Sequence, residues 1–256
     1  MPILIEKKYP IYIITIDNPE VKNAVDGPTA NSLANAFRDF EKDEKALVGI
    51  LEGANGTFCS GANLKAISEG KGNRIEKEGD GPMGPTRMLL SKPVIAAISG
   101  YAVAGGLELA LWCDLRIAEK DAIFGVFNRR FGVPLIDGCT IRLPRLIGLS
   151  RALDMILTGR PVNAQEAYDW GLINRIVDIG QSKQETLKIA RIIASFPQIC
   201  LRNDRFSIYN QFGLDLEEAM RKEFEFGLKS LESGEYLEGS KSFLQGMGKH
   251  GSFNDW

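Results

Sequence analysis

Histidine is nearly missing from this chain. Its 256 residues include one, His250, in a Gly-rich stretch near the C-terminus. An imidazole proton relay and a histidine metal site both need histidine close to their other groups, so neither is expected, and no metal site is predicted. Cysteine is scarce as well. Cys59, Cys113, Cys139 and Cys200 are widely spaced and form no CxxC pair, a usage that suits reduced, buried thiols in the cytoplasm. Basic excess is absent: 31 Lys and Arg face 33 Asp and Glu, for a net charge of −2. That balance argues against nucleic acid as a partner. No apolar run approaches the roughly 20 residues that span a bilayer, and no basic region followed by a signal-like apolar stretch opens the chain. A cytoplasmic protein without a membrane partner is therefore expected. No Gly-rich segment forms a P-loop or a dinucleotide fingerprint, and Asn55-Gly56-Thr57, which has the form of a glycosylation sequon, reads as a turn.

What is present is a core. With 44% hydrophobic and 25% charged residues, the chain can form one large domain, or one domain with an appendage. Ile3–Lys8 and Ile11–Ile16 read as strands around Tyr9-Pro10, and Thr29–Phe40 as an amphipathic helix with Leu33, Ala36, Phe37 and Phe40 on one face. Leu47–Leu51, Val94–Ile98 and Leu115–Ala118 read as further strands, alternating with helices as in a parallel-sheet α/β core. Gly70–Pro85 is rich in Gly, Lys and Glu and lacks apolar periodicity, and reads as a mobile surface segment, either a lid or a plain insertion. From about Ala164 the chain reads as mostly helical, with periodic stretches at Gln184–Ser195, Leu216–Leu231 and Tyr236–Phe243.

Lys92 to Asp114 carries the clearest chemical signal. A β-branched apolar run leads through Gly100-Tyr101-Ala102-Val103-Ala104 into an apolar helix that opens on Gly105-Gly106, with Glu108 in its first turn. Glycines there allow a ligand to approach the backbone, and the free N–H groups of a helix start attract negative charge. A backbone anion hole one turn from a carboxylate suits enolate or acyl chemistry. The plain alternative is a tight strand-turn-helix with a solvated or capping glutamate.

Together with Phe58-Cys59-Ser60-Gly61-Ala62-Asn63-Leu64-Lys65, this segment resembles the enoyl-CoA hydratase/isomerase (crotonase) family. The resemblance continues in order through Asn18–Ala24, Phe124-Gly125, Gly132-Val133-Pro134, Leu157-Thr158-Gly159-Arg160, Ala164-Gln165-Glu166-Ala167 and Gly171-Leu172-Ile173. It implies an α/β spiral of ββα units over 1–195 and a helical oligomerisation region over 196–256, in a homotrimer or a dimer of trimers. It implies an acyl-CoA substrate, with CoA present as part of the thioester and no separate cofactor. By resemblance, the amides of Ala62 and Gly105 form an oxyanion hole and Glu108 is the acid/base. Substrate contacts are implied at Ala24, Ser60, Gly61, Asn63, Leu64 and Gly106, with Lys65 near the nucleotide end of CoA.

The second acid/base group departs from the family pattern. Where hydratases place a second glutamate, three residues after Phe124-Gly125, this chain has Asn128. An amide does not exchange protons at neutral pH but can orient a water. Asp137, three residues before Thr140, matches the offset of the working carboxylate in some isomerases and a dehalogenase of the superfamily; its plain role is a helix N-cap. Arg129-Arg130 reads as ion pairing at a subunit surface, or as a reader of a polar or carboxylated acyl group, and Pro134 borders the same region. The expected activity is hydration of an enoyl-CoA or a shift of its double bond. Decarboxylation, thioester hydrolysis, dehalogenation, or binding of acyl-CoA or RNA without turnover are the alternatives.

Overall fold

In the computed structural model, which describes residues 2–253, β1 (Ile3–Lys8) and β2 (Ile11–Ile16) pair antiparallel, with Ile3 opposite Ile16. Met1 and residues 254–256 lie outside the described part, so the last three positions of the expected C-terminal region do too. Parallel to β2 follow β3 (Val48–Gly53), β4 (Val94–Ile98), β6 (Leu115–Glu119) and β9 (Arg175–Val177), giving the order β1-β2-β3-β4-β6-β9. The inner strands are continuous apolar runs buried on both faces, as parallel sheets require. The edge strand β1 is exposed and carries Glu6, Lys7 and Lys8, charges that discourage edge pairing.

The first helix, α1 (Gly27–Lys42), begins two residues before the expected Thr29, because the Asp26 carboxylate accepts the Thr29 N–H at 2.9 Å and Pro28 is preset for a helix start. Leu33, Ala36, Phe37 and Phe40 are buried, as the periodicity predicts. A short α2 (Leu64–Ser68) follows β3.

A second, three-stranded sheet escaped sequence reading. Here β5 (Tyr101–Val103) runs parallel to β7 (Ile123–Gly125), which pairs antiparallel with β8 (Val162–Asn163). Strands of two or three residues are too short to show an alternating pattern. Between β5 and β6 lies α3 (Gly105–Trp112), buried along its whole length. Then come α4 (Cys139–Ile147), α5 (Leu149–Thr158), α6 (Ala164–Asp169) and α7 (Ser182–Ser195).

Contacts group the chain into one unit up to Ala190 and a second from Arg191. The second contains α8 (Gln198–Asn210), which periodicity did not flag, α9 (Leu216–Glu232) and α10 (Glu235–Leu244). Among the described residues, no helix is long and apolar enough to cross a membrane.

One buried cation fixes the far end of α3. Arg116 donates through Nε to Leu172 O at 2.8 Å and through Nη1 to Cys113 O at 2.7 Å and Ala110 O at 3.3 Å. A guanidinium at a helix C-terminus meets both the unpaired carbonyls and the negative end of the helix dipole. Replacing it by an apolar residue strands several buried carbonyls. Arg116→Met is therefore expected to lower unfolding stability by about 3 kcal/mol, read from the midpoint of a urea titration.

Candidate active site

Two backbone segments meet at the start of α3. Cys59 bridges Ala102, so the loop after β3 runs beside β5. Val25 bridges Ala62 in parallel: the Val25 N–H donates to Gly61 O, and Asn63 N–H donates to Val25 O. That pattern uses the groups flanking Ala62 and leaves its own N–H unused. Glycine permits the close approach. A Cβ at Gly61 would lie 2.9 Å from Gly105 N, and one at Gly106 would lie 2.1 Å from Cys59 O. Ala104, the N-cap of α3, has φ 52° and ψ −126°, a strained backbone for a residue with a Cβ. Its N–H donates to Gly125 O at 2.8 Å, so the small sheet anchors the turn. Gly105 N–H, in the first turn, has no intrahelical acceptor. Among the described residues, neither the Ala62 nor the Gly105 amide donates to a protein acceptor.

Glu108 and Asp137 are both buried, at 3% and 4% exposure. Glu108 Oε1 accepts the N–H of Asp137 at 2.9 Å and of Cys139 at 3.1 Å, the amides that open α4. Asp137 Oδ1 accepts the Met83 N–H at 3.0 Å and the Thr86 hydroxyl. Each carboxylate thus has one oxygen held by two donors, and the other has no protein partner among the described residues. Asp137 does not cap α4; Gly138 occupies that position, and no side chain caps the helix there. Burial pushes the Glu108 carboxyl up to about 7, against the opposing pull of the Cys139 and Asp137 amides and with the nearby Asp137 charge adding to the rise. Burial also raises Asp137, although Thr86, Met83, Arg87 and Arg142 oppose it.

Both carboxylates line a cavity of about 530 Å³. Ser60, Ala62, Leu64, Gly105, Asn128 and Pro134, all expected from sequence, line it too. Ala24, Gly61, Asn63, Lys65, Gly106 and Arg129 do not. Gly61 and Gly106 instead bring the two backbone segments together. Asn63 caps α2 through Lys65 N–H and Ala66 N–H. Lys65 is exposed on α2, and Ala24 is buried beside Val25.

Arg129 and Arg130 have partners that their sequence context does not show. Arg129 Nε donates to Ile156 O at 3.2 Å, and Arg130 donates to Gly159 O at 2.6 Å while covering the Phe127 ring. Both are exposed, and within one copy of the chain they donate to carbonyls at the end of α5; neither lines the cavity among the described residues. Asn128 Nδ2 donates to Val133 O at 2.7 Å, which fixes the amide orientation and leaves buried Oδ1 without a donor.

Gly70–Pro85 is a surface segment only in its first part. The segment is exposed through Gly79, apart from the half-buried Asn73, but buried from Gly81 on. Gly70, Gly72, Asn73, Ile75, Pro82 and Met83 form one wall of the cavity, as do Phe127, Phe131, Val133 and Ile136. Aperiodic composition hid this, because a turn that packs through backbone and glycine shows no apolar pattern. Among the described residues no group of three or more His, Cys, Asp or Glu could hold a metal ion.

The architecture defines an α/β protein with a buried carboxylate pair and two unpaired amides around one apolar cavity. Residues 6–247 match the enoyl-CoA hydratase/isomerase family, and the chain belongs to that family of enzymes. It is 31% identical to an enoyl-CoA hydratase of Mycobacterium tuberculosis over 94% of this chain and 93% of that protein. It is 37% identical to a carnitinyl-CoA dehydratase of Salmonella typhi over 72% and 70%. A crystal structure of an enoyl-CoA hydratase from Mycobacterium tuberculosis superposes with a TM-score of 0.90 at 32% identity, covering 95% of this chain and 96% of that one. One from Bacillus anthracis gives 0.85 at 30% identity, with 96% of each chain covered. The fold is therefore the crotonase fold expected from sequence.

The raised Glu108 carboxyl links stability to pH. Unfolding returns it from about 7 to an ordinary 4.5. Below about 4.5 both states are protonated and the group is neutral toward folding; between about 4.5 and about 7 the unfolded state ionises while the folded state holds its proton, so stability falls as pH rises, and above about 7 the loss is complete and constant. Glu108→Gln removes that loss. The stability difference between variant and wild type should grow in the variant's favour by about 3 kcal/mol between acid pH and about pH 7 and stay level above it, as measured by denaturant titrations across that range. A flat difference would contradict the assignment.

Proposed function

We propose that this enzyme acts on the acyl-CoA thioester of an unsaturated acid and stabilises an enolate at the thioester carbonyl. The Ala62 and Gly105 amides receive the carbonyl oxygen, and Glu108 and Asp137 move the protons. CoA takes part only as the carrier of the thioester. The observation that carries this reading is the pairing of two unused amides with two half-anchored buried carboxylates in one apolar cavity. Preorganised donors at a developing oxyanion contribute about 3–4 kcal/mol each in such reactions. A carboxyl raised to about 7 is available in both protonation states near neutrality.

The best-supported reaction is a double-bond shift. One carboxylate takes a proton from C2 of a 3-enoyl thioester, and the C–H electron pair moves into the dienolate whose charge rests on the thioester oxygen. A carboxyl of the pair then delivers a proton to C4, which leaves the double bond between C2 and C3. Hydration is the second reading, favoured by Asn128, whose buried Oδ1 lacks a donor that a water could supply, and by the hydratase and dehydratase names of the relatives.

Exposed apolar side chains on α8–α10, including Phe224, Leu216 and Leu244, support packing against further copies, as in the expected trimer or dimer of trimers. Buried Cys59, Cys113 and Cys139, free of disulfides, support a cytoplasmic location.

Purified protein should be assayed for crotonyl-CoA hydration and for conversion of a 3-enoyl-CoA to its 2-enoyl isomer. Glu108→Gln and Asp137→Asn should each lower isomerisation by about 100-fold or more. Isomerisation by wild type should also fall as pH drops below about 7, as the Glu108 base becomes protonated. Strong hydration that survives Asp137→Asn would favour the second reading, and absence of turnover on both substrates would overturn the proposal.

A further inference from the structure

Asp137 does not hold itself in place. Its neighbours Ile136 and Gly138 belong to the connection into α4. The contacts that fix its carboxylate come from a turn more than fifty positions earlier in the chain. Gly81 N–H donates to Gly84 O at 3.0 Å and Gly84 N–H returns to Gly81 O at 2.8 Å, closing a tight reversal that presents Met83 N–H and Thr86 Oγ1. Thr86 is buried at 1% exposure, and so is Met83. The fit leaves no slack. A Cβ at Gly81 would lie 2.0 Å from Thr86 Oγ1 and 2.6 Å from Asp137 Oδ1, and one at Gly84 would lie 2.6 Å from Ala30 O. Arg142 ties the two segments from the other side, through Nη2 to Thr86 O at 2.7 Å and Nη1 to Asp137 O at 2.9 Å.

We propose that Thr86 is a positioning residue for Asp137: its hydroxyl, with the Met83 amide, pins Oδ1 and leaves Oδ2 as the oxygen that serves the substrate. This rests on the reading of Asp137 as the second proton-transfer group. A serine at this position keeps the donor, whereas valine keeps the shape and removes it. Loss of the donor leaves Oδ1 with one partner, frees rotation of the carboxyl, and withdraws a hydrogen bond that favours the ionised form. The charged groups around Asp137 are Glu108 on α3, Arg87 in the same turn and Arg142 on α4, and the Cys139 thiol adjoins Glu108. All of them stay in place in these variants.

The test uses full-length enzyme carrying ¹³Cγ-labelled aspartate, with the Asp137 signal assigned by its loss in Asp137→Asn. Thr86→Val, Thr86→Ala and Thr86→Ser are compared with wild type for carboxyl titration and for kcat and KM on a 3-enoyl-CoA and on crotonyl-CoA. Thermal unfolding checks that each variant is folded, and alanine stands in where valine is not. The expected result is an upward move of the Asp137 midpoint and a fall in kcat of about 10–100-fold, with KM changed less than about threefold, in the variants without the hydroxyl. Thr86→Ser should return both quantities close to wild type. An unmoved Asp137 midpoint in Thr86→Val and Thr86→Ala, or a serine variant as impaired as they are, would overturn the proposal. Wild-type turnover in Asp137→Asn with a midpoint still shifted by Thr86→Val would keep the holding role and remove Asp137 from the chemistry.

Discussion

One carboxylate oxygen joins the parts of this site. Glu108 Oε1 accepts the amides of Asp137 and Cys139 and so ties the first turn of α3 to the beginning of α4. An ionised carboxylate carried into an apolar cavity without partners is strongly disfavoured. The Cys139 amide at the N-terminus of α4, with the positive end of the helix dipole behind it, and the Asp137 amide two residues earlier offset part of that penalty. The remainder shows as the carboxyl's rise to about 7. The stability cost and the raised carboxyl are thus one quantity seen twice. The same incomplete compensation that weakens the fold above about pH 7 leaves both protonation states of the carboxyl populated near neutrality, which is what the proposed proton transfer needs.

The geometry around that oxygen is fixed from both ends of α3. At its start, Ala104 N–H reaches Gly125 O of the small sheet, and the glycines at 61 and 106 let the loop after β3 lie directly against the helix. At its end, Arg116 gathers carbonyls from Ala110, Cys113 and Leu172. A helix buried on every side cannot use an amphipathic face to set its rotation. Backbone contact at one end and a cation at the other do this instead, and they hold the Gly105 amide and the Glu108 carboxylate in a constant relation.

The parts legible in sequence are those whose signal is local. Apolar runs marked β2, β3 and β4, periodicity marked α1, α7 and α9, and Gly105-Gly106 followed by Glu108 marked the start of α3, where Gly105 and Glu108 line the cavity. The family pattern added Ala62 and Asp137. What was not legible depends on distant backbone. Thr86 and Asp137 stand 51 residues apart, and nothing in either neighbourhood announces the other. The turn from Gly81 to Thr86 looked like part of an open surface segment because glycine and proline, which there allow tight packing, elsewhere signal loops. Arg129 and Arg130 looked chemically suggestive beside the cavity, yet the end of α5 lies within their reach and its carbonyls lacked donors.

Asn128 makes sense in the company of the two carboxylates. The cavity already buries Glu108 and Asp137, and burial raises both. A carboxylate at 128 would be a third acid in the same enclosure. Its charge would meet the same desolvation and would be repelled by the other two, so one or more of the three would remain protonated over the working range. An amide avoids that conflict and keeps a hydrogen bond: Nδ2 donates to Val133 O, and the carbonyl oxygen remains as an acceptor. If Asp137 has taken over the second proton-transfer role, a neutral residue at 128 is the arrangement the electrostatics favour. Under the proposed role of Asp137, the amide at 128 and the anchored carboxylate at 137 belong together: the second acid stands at the entrance of α4 instead of in the turn after β7, and the cavity holds two carboxylates instead of three.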